Sequence, residues 1–194
     1  MSWTDCHQFM VKEHVGVFKA ANNFDLFDLE SGTELLQCRE EKLGTFTKIL
    51  RFTDYKSMTP FEIQVRDTNG NLVIEIKRGV SFLLSKVQVF DGEGNLLGGF
   101  KQKLFSIGGK FDVLDKNDTP VCTLVGKWTG WDFRFMAQDQ ELAHVTKKWT
   151  GLGKELFTSA DNYVLDISPS LGGDSTLKRL IIAAVMCIDM VLKE

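Results

Sequence analysis

The residues best placed to do chemistry are the oxygen-bearing side chains of one short turn. Asp67, Asn69 and Asn71 occupy the first, third and fifth places of a calcium-binding loop of the EF-hand type. Leu72 stands where that loop needs a glycine, and Arg78 stands where it needs a bidentate glutamate. The pattern therefore favours the other interpretation, in which these residues form a β-hairpin turn.

Side chains that could support catalysis are scattered along the chain. His7 and His14 have no cysteine or carboxylate at a metal-ligand spacing, and no nucleophile elbow, phosphate-binding loop or dinucleotide fingerprint occurs. The four cysteines lack a CxxC pair, which is typical of a reduced intracellular protein: Cys6, Cys38, Cys122 and Cys187. The sequence predicts neither an enzyme nor a bound cofactor.

Basic residues form three clusters, each near the end of a strand expected to be the second of a hairpin. They are Lys77 and Arg78, then Lys101 and Lys103, then Lys147 and Lys148. Such strand ends could gather at one rim of a barrel, where they would hold anionic lipid headgroups or nucleic-acid phosphates. The alternative is that they are solvated strand ends with no ligand.

The elements that would position these residues are β-hairpins. Four units repeat one device, an alternating strand, a turn bearing Asp or Gly, and a second strand, with the first strands beginning at Phe61, Val87, Phe111 and Phe133. A similar hairpin is predicted at 22–39, and one or two strands at 9–20. A series of hairpins must stack as a sandwich or close as a barrel.

The last eighteen residues are the most apolar part of the chain. No charged residue, glycine or proline occurs between Leu180 and Ile188, and a helix that is apolar all round must be buried in a core or in a bilayer. A bilayer crossing needs about 20 apolar residues, whereas Arg179 and Asp189 bracket this run. We therefore predict a core helix at about 176–192, enclosed by the hairpins as a closed barrel.

Composition sets the remaining limits. The 194 residues, 43% hydrophobic and 25% charged, fit one globular domain, and the net charge of −3 gives no global basic field that would attract nucleic acid. The first residues are polar and do not resemble a signal peptide. We predict a short leader at 1–8, a single domain at 9–194, and an intracellular protein that is cytoplasmic or peripherally membrane-associated.

Near the carboxyl end, several motifs resemble the phospholipid scramblase family. They are Trp149-Thr150-Gly151, then Glu155-Leu156-Phe157-Thr158, then Ala160-Asp161-Asn162-Tyr163, and an apolar ending that carries Ile188-Asp189 and closes on Glu194. Asn23-Phe24-Asp25-Leu26-Phe27-Asp28 resembles the family more loosely. The resemblance covers nearly the whole chain and implies structural roles for Trp149, Gly151, Phe157, Asn162 and Asp189.

The resemblance implies a mainly β fold in which about twelve antiparallel strands close around a buried C-terminal helix, as in tubby-like and LURP-one-related proteins. It also implies a calcium segment, of which Asp161 is kept while Ser159 and Ser170 replace the other two carboxylates. A single carboxylate supplies too few ligands for a cation that is coordinated by six to eight oxygens. Calcium binding at Asp161 is therefore in doubt.

Two functions follow as expectations. The first is a scramblase-like protein that binds anionic phospholipid at its basic rim or contributes to movement of lipid between leaflets. The second is a soluble binding or interaction module whose helix stays permanently buried. A phospholipid or an anionic membrane surface is the expected partner, a protein partner is left open, nucleic acid is not expected, and the chain is predicted to be a monomer.

Overall fold

The computed structural model of the chain describes residues 2–14, 23–40, 60–79, 86–102, 111–127, 131–147, 162–173 and 175–191. Twelve strands form one closed antiparallel barrel in which each strand pairs with its neighbours in the sequence, and β1 pairs with β12 to close the circle. One helix, α1 (Thr176–Val191), follows the last strand. The predicted barrel and its C-terminal helix are confirmed.

The strands alternate in direction around the barrel. They are β1 (Gln8–Glu13), β2 (Phe24–Asp28), β3 (Glu34–Glu40), β4 (Phe61–Asp67), β5 (Leu72–Arg78), β6 (Lys86–Asp91), β7 (Leu96–Gln102), β8 (Phe111–Asp115), β9 (Pro120–Lys127), β10 (Asp132–Ala137), β11 (Gln140–Thr146) and β12 (Asn162–Ile167).

The barrel therefore has two different ends. Five short hairpin turns lie at one end, which we call the turn end: residues 29–33, 68–71, 92–95, 116–119 and 138–139. All odd-numbered strands finish at the opposite end, which we call the loop end, because neighbouring strands are antiparallel. The four predicted repeats are confirmed as the hairpins β4–β5, β6–β7, β8–β9 and β10–β11.

Period-2 alternation supplies the lining of the barrel. Phe61, Ile63 and Val65 of β4 are buried, while the residues between them are partly exposed. The other strands contribute in the same way, and residues 180–188 of α1 fill the space they enclose, each less than a tenth exposed. Strands and helix thus share one hydrophobic core.

The helix runs along β5 from the turn end to the loop end. Arg179 in its first turn donates a long hydrogen bond of 3.5 Å to the carbonyl of Val73, which lies near the start of β5. Near its other end, burial raises the pKa of the Cys187 thiol, and the positive charge of Arg78 at the end of β5 partly opposes that rise. Cys187 and Ile188 also line one cavity with Phe100 and Phe111, which places this end of α1 near the loop end.

Residues 2–7, which we call the clasp, close the turn end over the start of the helix. The fully buried ammonium group of Lys178 donates to the carbonyl oxygens of Thr4, at 2.6 Å, and Cys6, at 2.7 Å. Trp3 and Cys6 belong to the core. The predicted leader is thus part of the barrel structure, because this buried ammonium group takes its acceptors from the clasp.

Replacing Lys178 tests this arrangement. Lys178→Ala leaves two buried carbonyl groups without their donor and opens a cavity, so we expect a loss of about 2–4 kcal/mol in the free energy of unfolding. Urea unfolding followed by circular dichroism measures it. The matched control is Lys116→Ala, at an exposed turn position, which should change stability by less than about 0.5 kcal/mol. Equal stability of the two variants would contradict the proposed role of the clasp.

Candidate functional site

The basic clusters predicted from the sequence lie at the loop end, on strands that are spread around the barrel. β5 ends at Arg78, β7 ends at Gln102 and β11 ends at Thr146, so Lys77, Lys101 and Lys147 all lie near this end. Lys103 and Lys148 fall outside the described residues. We call the three described lysines the basic rim.

Arg78 differs from the lysines because its side chain is inside the barrel. It is only 3% exposed and shares the buried face of β5 with Ile74 and Ile76. Its guanidinium group lies 4.6 Å from the ring centroid of Phe61, within the range of a cation–π contact. Of the residues predicted to bind headgroups, Arg78 therefore belongs to the core and not to the surface.

Lys77 and Lys101 lie on the outer face of the barrel, whereas Lys147 is half-buried over the ring of Trp131. Lys77 forms an ion pair with Glu75 at 2.7 Å, and 44% of its side chain is exposed. Lys101 is exposed and sits directly opposite Lys86 in the pairing of β7 with β6. On its other side Lys101 sits opposite Asp112 of β8, so charges of both signs neighbour it.

Sequence reasoning missed Lys12 and Lys86. Both are exposed at the loop end, Lys12 at the end of β1 and Lys86 at the start of β6. Lys86 also forms an ion pair with Asp118 at 2.8 Å. The sequence did offer a signal for Lys86. This lysine immediately precedes the alternating strand that begins with Val87, so it must lie at the end of the barrel where the neighbouring strands finish.

Carboxylates at the loop end are engaged by neighbouring side chains. Asp25 is paired with Arg39, through atoms 2.6 Å apart, and with the imidazole of His14. Asp112 accepts a hydrogen bond of 2.9 Å from Thr123. These contacts offset negative charge that would otherwise oppose the lysines of the same end.

The turn end carries the opposite charge. Its turns and the residues that open them are rich in carboxylates: Asp28, Glu30, Asp67, Asp91, Glu93, Asp115, Asp118 and Asp139. Lys116 is the one basic residue within these turns, all of which are described. The turns at one end are therefore predominantly acidic, whereas the loop end carries exposed lysines together with carboxylates such as Glu13, Glu62 and Asp132.

The residues that resemble an EF-hand loop form a hairpin turn. One carboxylate oxygen of Asp67 accepts from the backbone N–H groups of Asn69 and Asn71, both at 2.9 Å, and the other accepts from the Asn71 side chain. Asp91 makes the same contacts with Glu93 and Asn95. The turn interpretation is confirmed, since these carboxylates already hold the turn together.

Hydrogen bonding lowers the pKa of these carboxyl groups. For Asp67, burial alone raises the pKa, but the bonds from Asn71 and Asn69 outweigh it. For Asp91, the side-chain bond from Asn95 is the largest cause. The pKa of Asp28, at the β2–β3 turn, is lowered chiefly by the backbone N–H of Ser31, which donates a hydrogen bond of 2.7 Å to its carboxylate. All three groups are therefore stabilised in their ionised form.

The structure describes only some of the other predicted site residues. Trp149, Gly151, Phe157 and Asp161 fall outside the described residues, so calcium binding at Asp161 stays a prediction. Within the described ranges, no group of three or more His, Cys, Asp or Glu side chains is arranged to hold a metal. Asn162 opens β12 and is buried, and Asp189 lies on α1.

These features define a class of protein, a closed antiparallel barrel filled by one apolar helix, with exposed lysines at one end. A solved structure of a protein from Arabidopsis thaliana shares this fold, with a TM-score of 0.56 and 17% identity over 94% of this chain and 90% of that one. Within the described ranges, no helix combines the length and the apolar character needed to cross a membrane.

The chain belongs to the Scramblase family, whose model matches residues 7–194. Altered inheritance rate of mitochondria protein 25 of Saccharomyces cerevisiae is 27% identical over 76% of this chain and 52% of its own length. Phospholipid scramblase family member 5 of Homo sapiens is 23% identical over 68% of this chain and 54% of its own length. The chain thus spans about half the length of the curated relatives it matches.

Removing one turn carboxylate should change how stability depends on pH. A carboxyl group with a lowered folded-state pKa stabilises the protein above its unfolded pKa of about 3.9, and this contribution is lost as the pH falls through the folded value. We expect Asp67→Ala to cost about 1 kcal/mol at pH 7, and the difference from the parent protein to shrink as the pH approaches 2.

The comparison needs urea unfolding of both proteins across this pH range. Asp139→Ala, in the β10–β11 turn, is the control at the same end of the barrel. A difference between parent and Asp67→Ala that stayed constant down to the lowest pH would show that the ionised carboxylate does not stabilise the turn.

Proposed function

We propose that this protein binds anionic phospholipid headgroups at its loop end, with Lys77, Lys101 and Lys147 as the principal contacts. The barrel stands with its loop end towards the membrane and its turn end towards water. Lys12 extends the same surface, whereas the ammonium group of Lys86 is paired with Asp118. The ligand chemistry is a phosphate or carboxylate group at the surface of a bilayer, which lysine binds as a mobile point charge.

The observation that carries this proposal is that exposed lysines lie at the loop end while the turns of the other end are predominantly acidic. With a net charge of −3, the whole molecule is not attracted to an anionic surface, so binding depends on which end faces it. Lysines near the surface gain about 1 kcal/mol each from an anionic leaflet, whereas the carboxylates of the turn end are repelled within about 10 Å at ordinary salt. One orientation is therefore favoured.

Family membership supports the same class of ligand. The relative from Homo sapiens is named a phospholipid scramblase family member, and the residues matched by the family model include every lysine of the basic rim. Membership supports association with phospholipid more directly than movement of lipid between leaflets. A dithionite assay on the protein reconstituted in vesicles tests that movement separately.

A second candidate is a binding module for another protein, with α1 permanently enclosed. The burial of residues 180–188 on every side favours it, because a helix used as core is not available to the bilayer. The two candidates share the enclosed helix and differ in the ligand of the loop end. Vesicle binding separates them.

Neutralising the basic rim should weaken binding to anionic vesicles. We expect Lys77→Gln, Lys101→Gln and Lys147→Gln each to lower the affinity for phosphatidylcholine vesicles containing phosphatidylserine by about fivefold, from about 1 kcal/mol per lysine. Vesicle flotation at two salt concentrations measures the affinity, and higher salt should lower it.

Lys116→Gln is the matched control, since it removes the same charge from the turn end. Its affinity should equal that of the parent protein, because the turn end lies beyond the range of the membrane's surface potential. An equal loss in Lys116→Gln and the rim variants would show that net charge, and not the loop end, governs binding. If the parent protein bound neither phosphatidylcholine vesicles nor those that also contain phosphatidylserine, the proposed function would be overturned and the protein-binding module favoured.

Thiol reactivity reports whether the helix stays in the barrel at the membrane. All four cysteines are buried, and burial raises the pKa of Cys6 and of Cys122 to about 12, so few thiolates form at pH 8. We expect no rapid labelling by a disulfide reagent, with or without anionic vesicles. The unfolded protein in urea is the positive control, and labelling induced by vesicles would show that the barrel opens there.

A further inference from the structure

Trp131 has an unusual backbone conformation for a bulky residue. Its φ angle is +47°, in the left-handed region that glycine and asparagine tolerate best. The other described non-glycine residues with positive φ, Asp118 and Gln138, lie in hairpin turns at the opposite end. A tryptophan held in this conformation costs conformational free energy, which the structure must offset elsewhere.

Close approach of two strands holds this conformation in place. A Cβ atom added to Gly126 of β9 would lie 2.3 Å from the carbonyl oxygen of Asp132, the residue after Trp131. The backbone N–H of Lys147 donates to the carbonyl oxygen of Trp131 at 3.2 Å. The backbone at Trp131 is therefore held by its neighbours on both sides, at the point where β10 begins.

The indole ring is held between aromatic side chains and a lysine. Its centroid lies 5.3 Å from that of Tyr163 and 6.1 Å from that of Phe133, which belong to the core. The ammonium nitrogen of Lys147 lies 4.2 Å from the ring centroid. The half-buried ring thus joins the core to the basic rim.

We propose that Trp131 is the aromatic anchor of the loop end and enters the headgroup region of an anionic membrane, with Lys147 beside it. Indole rings favour the boundary between hydrocarbon and water because they have an apolar body and one polar N–H group. The flexible stem of lysine lets its ammonium group reach the phosphates while the indole goes deeper. This inference rests on the proposed function and names the residue that inserts.

Fluorescence quenching by lipids brominated on their acyl chains tests the insertion. Binding of the parent protein to brominated phosphatidylcholine vesicles containing phosphatidylserine should quench tryptophan emission and shift it to the blue. Trp131→Phe keeps the aromatic packing, so circular dichroism should be unchanged. It should lose the part of the quenching that comes from Trp131, since Trp3, Trp128 and Trp149 also emit, and its affinity should fall by about fivefold.

The control returns a tryptophan to the opposite end of the barrel. Leu96 is exposed at the start of β7, at the turn end, so Leu96→Trp in the Trp131→Phe protein should not restore quenching. If the parent protein binds vesicles and Trp131→Phe is quenched equally, the anchor is wrong while the proposed function stands. If the parent protein binds no vesicles, both are overturned.

Discussion

The structure depends on the enclosure of one helix that has no polar side between Leu180 and Ile188. Such a helix cannot lie on a surface in water, so the strands must surround it completely. A closed barrel achieves this and also leaves no strand edge exposed. Lys178 sets how far the helix enters, because its buried ammonium group needs the carbonyl oxygens of the clasp. The turn end is thereby sealed.

The two ends of the barrel carry different side chains. The turn end is occupied by short turns whose carboxylates satisfy their own backbone N–H groups, as Asp67 and Asp91 do. The loop end collects the finishing residues of alternate strands, and lysines accumulate there on the outer face. The difference between the two ends is thus a consequence of hairpin topology combined with the placement of charge within each hairpin.

The local sequence pattern predicted the pairing of strands wherever the two paired strands are adjacent in the sequence. The hairpins from Phe61 to Thr146 follow from alternation and turn residues, since each pairs a strand with the next one. The pairing of β1 with β12 joins residues more than a hundred positions apart, and no local pattern specifies it. Arg78 was grouped with the surface lysines although period 2 puts it on the face of Ile74 and Ile76. The buried role of Lys178 had no sequence signal, because its acceptors are backbone carbonyl groups of the clasp.

The same enclosure decides how this barrel can meet a membrane. If α1 left for a bilayer, its own apolar surface would be buried again in lipid, with little net change. The inward side chains, such as Ile63, Ile76 and Phe135, would lose their packing partner, and each fully buried residue of this kind contributes about 1.5–3 kcal/mol. Summed over the twelve strands, the lost stabilisation amounts to tens of kcal/mol. This exceeds the free energy of roughly 5–15 kcal/mol that keeps a domain folded. Release of the helix is therefore equivalent to unfolding, and the proposed contact with lipid would involve the surface of the intact barrel.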